Sequence, residues 1–586
     1  MKETDSDAKK GRAKSDSITK VKVKVETVAQ AYLELLSLRG IDYFFANAGT
    51  DFASIIDAFA CRQAQGKDTP RPLAIPHEIP LMSMAHGYYL VTGRPQVAMV
   101  HVGVGTANAV GGLISAHRGR VPILFTAGRT PMTEDGSPVF RFPFIHWGQD
   151  CFDQAGMVRE YVKWDYELKT PSQLEKVVDR ALVTSLTEPR GPVYLMLPPE
   201  VMISPLEQVE FCSRSRYDLP TSYPDPAKVR KASDLLAGAE FPLVITSSVG
   251  RDPFCVQKLT DLAEAGAIGA ISFNPEYMNF PPDHPCHQGF SPDPHLRKAD
   301  VVLVVDCDVP WYPKMVKPRD SAIIIQAGID PLHSSYPIRG FPSDLTLEGD
   351  NGLVLSEITR ALVGHPDKDE VGNKARQAAL RKMHDAMVEG WHEAAEKTAD
   401  DIPLDFEWIS YNVGKVLGED TVVVNEYSMS PYLHKVPGRY FCSPHGGYLG
   451  WGLGAALGIK LALSDKTVIA TVGDGSYMFS VPSVCHFVSN AYELPILVIV
   501  YNNQCWNAVK MATRGLHPEG WAARTNQFPL SDLQPTSNYE KICEAFGGYG
   551  ERVEAPDQVG PALERALHVV RHEKRQALLN MVCKHP

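Results

Sequence analysis

Runs of apolar residues that never alternate with polar ones recur along the whole chain. Pro192 to Leu197, Pro242 to Thr246, Val301 to Val305, Thr467 to Val472, Pro495 to Tyr501 and Ala577 to Val582 are of this kind. A strand with one wet face alternates apolar and polar; a strand that is apolar throughout is covered on both faces. Such strands, separated by stretches of helical spacing such as Gly450 to Leu463 and Pro482 to Ala491, predict parallel sheet with helices on both sides. Shorter strands are expected at Tyr43 to Ala46, Gln96 to Val102, Pro122 to Thr126, Ala270 to Phe273, Ala322 to Ile325 and Thr421 to Asn425. The pattern divides into three doubly wound α/β units, 25–200, 201–365 and 404–586. A polar, helix-rich connector fills 366–403, with its helix expected over Lys374 to Lys397.

A length of 586 residues allows three or four domains with cores of their own. A net charge of −11 excludes a nucleic-acid binder that relies on bulk positive charge. The eleven cysteines form no C-x-x-C pair, so reduced thiols in a cytoplasmic protein are expected. His284, Cys286 and His287 are the one tight Cys/His cluster, too few ligands for a zinc site by themselves. No apolar run reaches the roughly 18 residues of a membrane span, and the N-terminus lacks the apolar core of a signal peptide. Residues 1–24 hold eight Lys/Arg and four Asp/Glu and read as a mobile tail.

The chemistry is signalled by Gly473-Asp474-Gly475-Ser476, followed after 25 residues by Asn502-Asn503. Both stand where a buried strand ends. Glycines admit close approach of a phosphate to the backbone, and the helix that follows favours an anion. Asp474 supplies a carboxylate oxygen and the asparagines a carboxamide oxygen, an all-oxygen set that suits Mg²⁺ or Ca²⁺ on a diphosphate. Either half alone reads as a plain turn; the pair at this separation is specific. A second signal, His77-Glu78, closes a short apolar stretch just before a helix. A Glu in an apolar pocket has its pKa raised and can share a proton. His101, near the end of a strand and before a glycine turn, has a ring that titrates near neutral pH.

With these residues in place the chain resembles the thiamine diphosphate enzymes over 25–586. The resemblance implies pyrimidine-binding, central and diphosphate-binding domains in that order. It implies thiamine diphosphate held through Mg²⁺ by Asp474, the Asn503 side chain and the Cys505 backbone carbonyl. Glu78 would contact the aminopyrimidine ring, Leu449 would bend the cofactor, and Asn108, Ser428, Gly473, Gly475, Ser476, Trp506, Asn507 and Ala508 would complete its site. No FAD motif is present. By the same resemblance the site lies between two subunits, so the partner is a second copy of the chain, as a homodimer or homotetramer.

Within that superfamily, His101-Val-Gly-Val-Gly-Thr-Ala-Asn108, Tyr161-Val-Lys163-Trp164 and Asn425-Glu426 resemble benzoylformate decarboxylase. That likeness makes His101 an acid/base and puts Thr50 beside the carboxylate of a small 2-oxo acid. The implied reaction is decarboxylation through an enamine to an aldehyde; carboligation of acetolactate synthase type is the other fate of the same intermediate. The family's second active-site histidine has no counterpart here, since Val309-Pro-Trp311 offers proline. Ala512 widens the pocket, His146 in the aromatic stretch Phe140 to Trp147 stands at its mouth, and Arg514 to Pro535 reads as a lid.

Overall fold

The computed structural model describes residues 18–366, 369–426 and 429–585. Three parallel sheets organise them. In the first domain the strands occur as Tyr43–Ala46, Arg71–Ala74, Val97–Val100, Leu124–Gly128, Asp165–Glu167 and Val193–Leu197. Across the sheet they run second, first, third, fourth, sixth, fifth. The third domain contains Thr421–Glu426, Tyr440–Cys442, Thr467–Gly473, Leu497–Asn502, Tyr549–Val553 and Ala577–Val582, and repeats that order strand for strand. The central sheet has five strands, Pro242–Thr246 to Leu345–Glu348, with the same reversal between its first three. In each sheet the chain switches direction between the first and third strands, the place where open α/β sheets bind ligands.

The helix that follows the second strand has the same station in both outer domains: Glu78–Thr92 in the first, Trp451–Ala462 in the third. Glu78–Thr92 starts where the His77 ring accepts from the Ile79 N–H, and stops at Gly93 in the left-handed region. The two helices pack on each other almost backbone to backbone. A Cβ on Gly87 would lie 2.1 Å from the Ala455 carbonyl oxygen, and one on Gly458 would lie 2.0 Å from that of Met84. Leu81, Met84, Trp451 and Leu457 share one core around this contact. His86 stacks edge-on against Trp451 at 5.4 Å, and burial pushes its pKa down to about 3.

The connector is a 27-residue helix, Glu370–Glu396, fastened to the central domain. Its Arg376 donates to the carbonyls of Gly266 and Ala267 at the end of helix Pro253–Gly266, which satisfies groups that a helix end leaves open. The three domains meet at an ion-pair cluster, where Asp306 takes Arg120 at 3.3 Å and Arg251 at 2.9 Å, and Asp308 takes His445 at 3.0 Å.

One expectation is corrected. Residues 20–24, read as part of a mobile tail, form a strand antiparallel to Gln208–Cys212. Lys-Val-Lys-Val-Lys alternates with period two, so Val23 is buried while the lysines stay in water. The count of charges hid that alternation. Residues 1–17 lie outside the described residues.

Candidate active site

At the first domain's switch point, Asn47 follows strand Tyr43–Ala46 and reaches Glu78, its Nδ2 donating to Oε1 at 2.9 Å. Asn108 ends helix Val102–Asn108 and donates to Oε2 at 2.5 Å. Gly105 leaves the space: a Cβ there would lie 3.2 Å from Glu78 Oε1. Glu78 is buried, as expected, but its surroundings are not the apolar pocket expected. Two carboxamides grip both oxygens and fix the plane of the carboxylate.

His101 lies one residue beyond strand Val97–Val100. Its Nδ1 is 2.5 Å from Asp51 Oδ1 and its Nε2 is 3.2 Å from the Gln149 side chain. The hydrogen bond to Asp51 raises the His101 pKa, against a smaller effect of burial. Thr50 adjoins them, its Oγ1 3.3 Å from His146 Nε2. His146 Nδ1 accepts from the Phe142 N–H, which fixes the proton of the neutral ring on Nε2, facing Thr50. Burial, and then the nearby His101, lower the His146 pKa. Thr50, His101, His146, Gln149, Phe140 and Phe142 line a cavity of about 310 Å³.

The third domain's switch point carries oxygen donors. Asp474 is 2 % exposed; its Oδ1 accepts from the Gly475 N–H at 2.9 Å and its Oδ2 from Gln504 at 2.8 Å. Burial pushes its pKa up to about 6. Asn503 is buried next to it in the fold, its Oδ1 held by the Cys505 N–H at 3.0 Å. The Cys505 carbonyl accepts from Asn507 N–H, and the buried Asn507 Oδ1 has no partner. A Cβ on Gly475 would strike the Trp506 ring at 2.1 Å, so only glycine fits under that indole. Glu426 ends strand Thr421–Glu426 and accepts from the N–H groups of Gly450 and Gly452, both at 2.7 Å. Burial pushes its pKa up to about 7. Leu449, half-buried, immediately precedes Gly450, Gly473 ends strand Thr467–Gly473, and Ser476 is buried in the short helix after it. Ala508 lies in the first turn of helix Asn507–Leu516. Ser428 lies outside the described residues.

A family model for the N-terminal TPP binding domain of thiamine pyrophosphate enzymes matches residues 26–157, and one for their C-terminal TPP binding domain matches 422–581. The first span holds Glu78 and His101, the second Asp474 and Asn503. The chain is a thiamine diphosphate enzyme of the acetolactate synthase and decarboxylase superfamily. It is 24% identical over 573 residues to the acetolactate synthase isozyme 3 large subunit of Escherichia coli, covering 94% of each chain. It is 24% identical over 508 residues to the benzoylformate decarboxylase of Pseudomonas aeruginosa, covering 83% of this chain and 88% of that one. The crystal structure of benzoylformate decarboxylase from Polynucleobacter necessarius superposes with a TM-score of 0.76 at 19% identity, over 96% of this chain and 99% of that one. The three-domain fold expected from the strand pattern is therefore the fold of this enzyme.

The residues at the third domain's switch point fit a metal-bound diphosphate. A buried carboxylate without a cation nearby tends to neutralise, and a bound divalent ion would keep Asp474 charged. The orphaned Asn507 oxygen lies on the same loop. Among the described residues no three His, Cys, Asp or Glu side chains converge as a metal site; the donor set is instead one carboxylate supplemented by amide oxygens, the choice of a hard cation. Among the described residues no helix is long and apolar enough to cross a membrane, and every cysteine is a free thiol.

Four side chains of this arrangement have no role in the sequence reading: Asn47, Asp51, Gln149 and Glu426, the last named there only within a resemblance. Only Asp51 has a local signal, since it directly follows Thr50.

Proposed function

We propose that this enzyme decarboxylates a 2-oxo acid to an aldehyde, using thiamine diphosphate and Mg²⁺, in the cytoplasm. One observation carries the reading. The cavity at the first domain's strand ends holds a hydroxyl, Thr50, and an imidazole, His101, which are the groups that a 2-oxo acid needs for its carboxylate and for the proton that replaces it. When bound, the cofactor supplies a carbon nucleophile and a sink for the electrons released with CO₂. Glu78, its carboxylate plane fixed by Asn47 and Asn108, would face the aminopyrimidine ring and hold or release a proton there. Asp474, Asn503 and the Cys505 carbonyl would hold the metal on the diphosphate. His146 donates to Thr50, which leaves the Thr50 O–H free to meet the substrate carboxylate. His101 gives its proton to the carbon that has lost CO₂. Phe140 and Phe142 wall the cavity, which favours an aryl or bulky alkyl side chain.

Supporting the subunit arrangement, both outer domains expose large apolar side chains near their switch points, Phe142 (73 %) and Phe144 (82 %) on the first and Leu516 (73 %) and Trp521 (82 %) on the third. Burying these faces between copies gives a homodimer or homotetramer; the mass in solution by light scattering checks it.

The full-length match to an acetolactate synthase supports a second reading, carboligation. CO₂ release from a panel of aryl and alkyl 2-oxo acids separates the two. Aldehyde equal to CO₂ establishes the decarboxylase. Hydroxyketone in its place establishes the ligase, and no CO₂ from any acid sinks both.

A further inference from the structure

The environment of Asp51 has no part in the scheme above, and it is built with care. Asp51 is the middle residue of the turn Thr50–Phe52, and its side chain is 2 % exposed, while that of His101 is 18 % exposed. One carboxylate oxygen takes His101 Nδ1; the other accepts from the N–H of Gly128 at 3.0 Å and of Val102 at 3.3 Å. Two glycines make room for the pair. A Cβ on Gly49 would lie 2.1 Å from His101 Nδ1, and one on Gly128 would lie 2.1 Å from Asp51 Oδ2. Val102, directly after the histidine, is held at φ +33°, a region that a β-branched residue seldom adopts. Backbone strain of this kind persists only where the surrounding structure enforces it. Asp51 and His101 both line the cavity, with the ring the more exposed of the two.

We propose that Asp51 is a positioning residue: it fixes His101 with Nδ1–H bound to its carboxylate and Nε2–H aimed into the cavity, so that the imidazolium stands ready as the acid that completes decarboxylation. The balance is simple. The bond between the carboxylate carbon and the keto carbon breaks, CO₂ leaves, and a C–H bond forms with the proton from His101 Nε2. Water returns the proton to the ring. The net change is a 2-oxo acid anion plus one proton to aldehyde plus CO₂. Gln149 agrees with this state. Its Oε1 is buried without a partner while its Nε2 is the atom nearest His101 Nε2. Turning the carboxamide over places its oxygen as an acceptor on His101 Nε2–H.

The charged and titratable groups around His101 are few. Asp51 faces it from the turn before helix Ala53–Ala64, Glu78 from the start of its helix, and His146 from the loop across the cavity. Arg129 lines the same cavity and is paired with Asp150 and Glu167 at 3.7 and 3.4 Å; Arg141 is paired with Asp150 at 2.5 Å. Among the described residues Asp51 is the one carboxylate in hydrogen-bond contact with the ring. A standing acid also bears on the product, because prompt protonation leaves less time for a second carbonyl to be attacked.

The kinetic part of this inference rests on the decarboxylase reading; the geometric part does not, and the test separates them. Hydrogen–deuterium exchange at His101 Cε1, followed by mass spectrometry across pH, reports the ring's titration without any substrate. In Asp51→Asn the midpoint is expected to fall by about one pH unit or more. If the panel of 2-oxo acids finds a substrate, the alkaline limb of aldehyde release moves down by the same amount, the share of ligated product rises, and Asp51→Glu restores part of both. His101→Gln removes that limb altogether. An unchanged His101 midpoint in folded Asp51→Asn overturns the proposal, whatever the enzyme turns over. A shifted midpoint with no decarboxylation of any acid upholds the Asp51–His101 pair and sinks the decarboxylase alone. If Asp51→Asn does not fold, Asp51→Glu is measured in its place, with a smaller fall expected. If neither folds, the role is structural and the proposal fails.

Discussion

The first and third domains are one topology used twice, six parallel strands in the same order, with the same helix carried from the second strand to the third. Both place a polar side chain at the end of the first strand and aim it at the start of that helix, Asn47 in one and Glu426 in the other. The contents then diverge. In the first, Asn47 donates to a carboxylate that stands at the helix start. In the third, Glu426 is itself the carboxylate, accepting from bare backbone N–H groups at Gly450 and Gly452. One switch point thereby gathers ionisable groups, Glu78 and His101, to which the proposed function gives proton transfer, and the other gathers oxygen donors around Asp474. The difference teaches that the fold supplies a station, and that the side chains at the strand ends decide whether it handles protons or cations.

Substitutions at matching stations test that division. Glu78→Gln is expected to lower CO₂ release by about a thousandfold and to leave Mg²⁺-diphosphate affinity, measured by calorimetry, unchanged. Loss of binding as well would show that the two ends are not separate in task. Asp474→Ala is the converse. It should weaken Mg²⁺-diphosphate binding roughly a hundredfold, about 2.7 kcal/mol, while the Glu78 pocket keeps its thermal midpoint. Gly458→Leu attacks the helix contact that joins the two ends; overpacking against the Met84 backbone should cost about 3 kcal/mol, read as a fall in the urea midpoint.

Glu426 gives the sharpest contrast with Asn47, which does not titrate. Its folded pKa of about 7 lies above its ordinary 4.5, so between those values the folded state holds a proton that the unfolded state releases. Its contribution to stability is therefore full below about pH 4.5 and is lost as pH rises towards 7. From pH 4.5 to 7.5, the stability of Glu426→Gln relative to the natural protein should improve by about 3 kcal/mol. A difference that is flat with pH would show that the helix N–H groups already neutralise the charge.

The sequence was most readable where burial is two-sided. The strands anticipated include every interior strand of the three sheets. Those not foreseen, Arg71–Ala74, Asp165–Glu167, Leu345–Glu348, Tyr440–Cys442 and Tyr549–Val553, are all edges. An edge strand has one neighbour and partial exposure, so its residues need not be uniformly apolar; Asp165–Glu167 is intermediate throughout and Tyr549–Val553 buries one residue of five. The exception, Gly269–Ser272, is an edge that the segment at His287 covers through a bridge at Ala270, and it reads as interior for that reason. In the candidate site, Glu78 and Asp474 stood out because each sits in a short local pattern. Asp51 and Gln149 act on a histidine 50 and 48 residues away, and no local pattern records such a pairing. Asn47 and Glu426 were hidden by their commonness at strand ends.

The contact between helices Glu78–Thr92 and Trp451–Ala462 has a consequence for recombination of this scaffold. Side chains can be trimmed or repacked to suit a new neighbour; a main chain lying against another main chain cannot. A chimera that takes residues 404–585 from a relative imports a helix surface whose glycines were matched to someone else's Gly87 and Met84. The exchangeable unit in this molecule is therefore not the domain as the linkers mark it, but the third domain together with the segment 78–92.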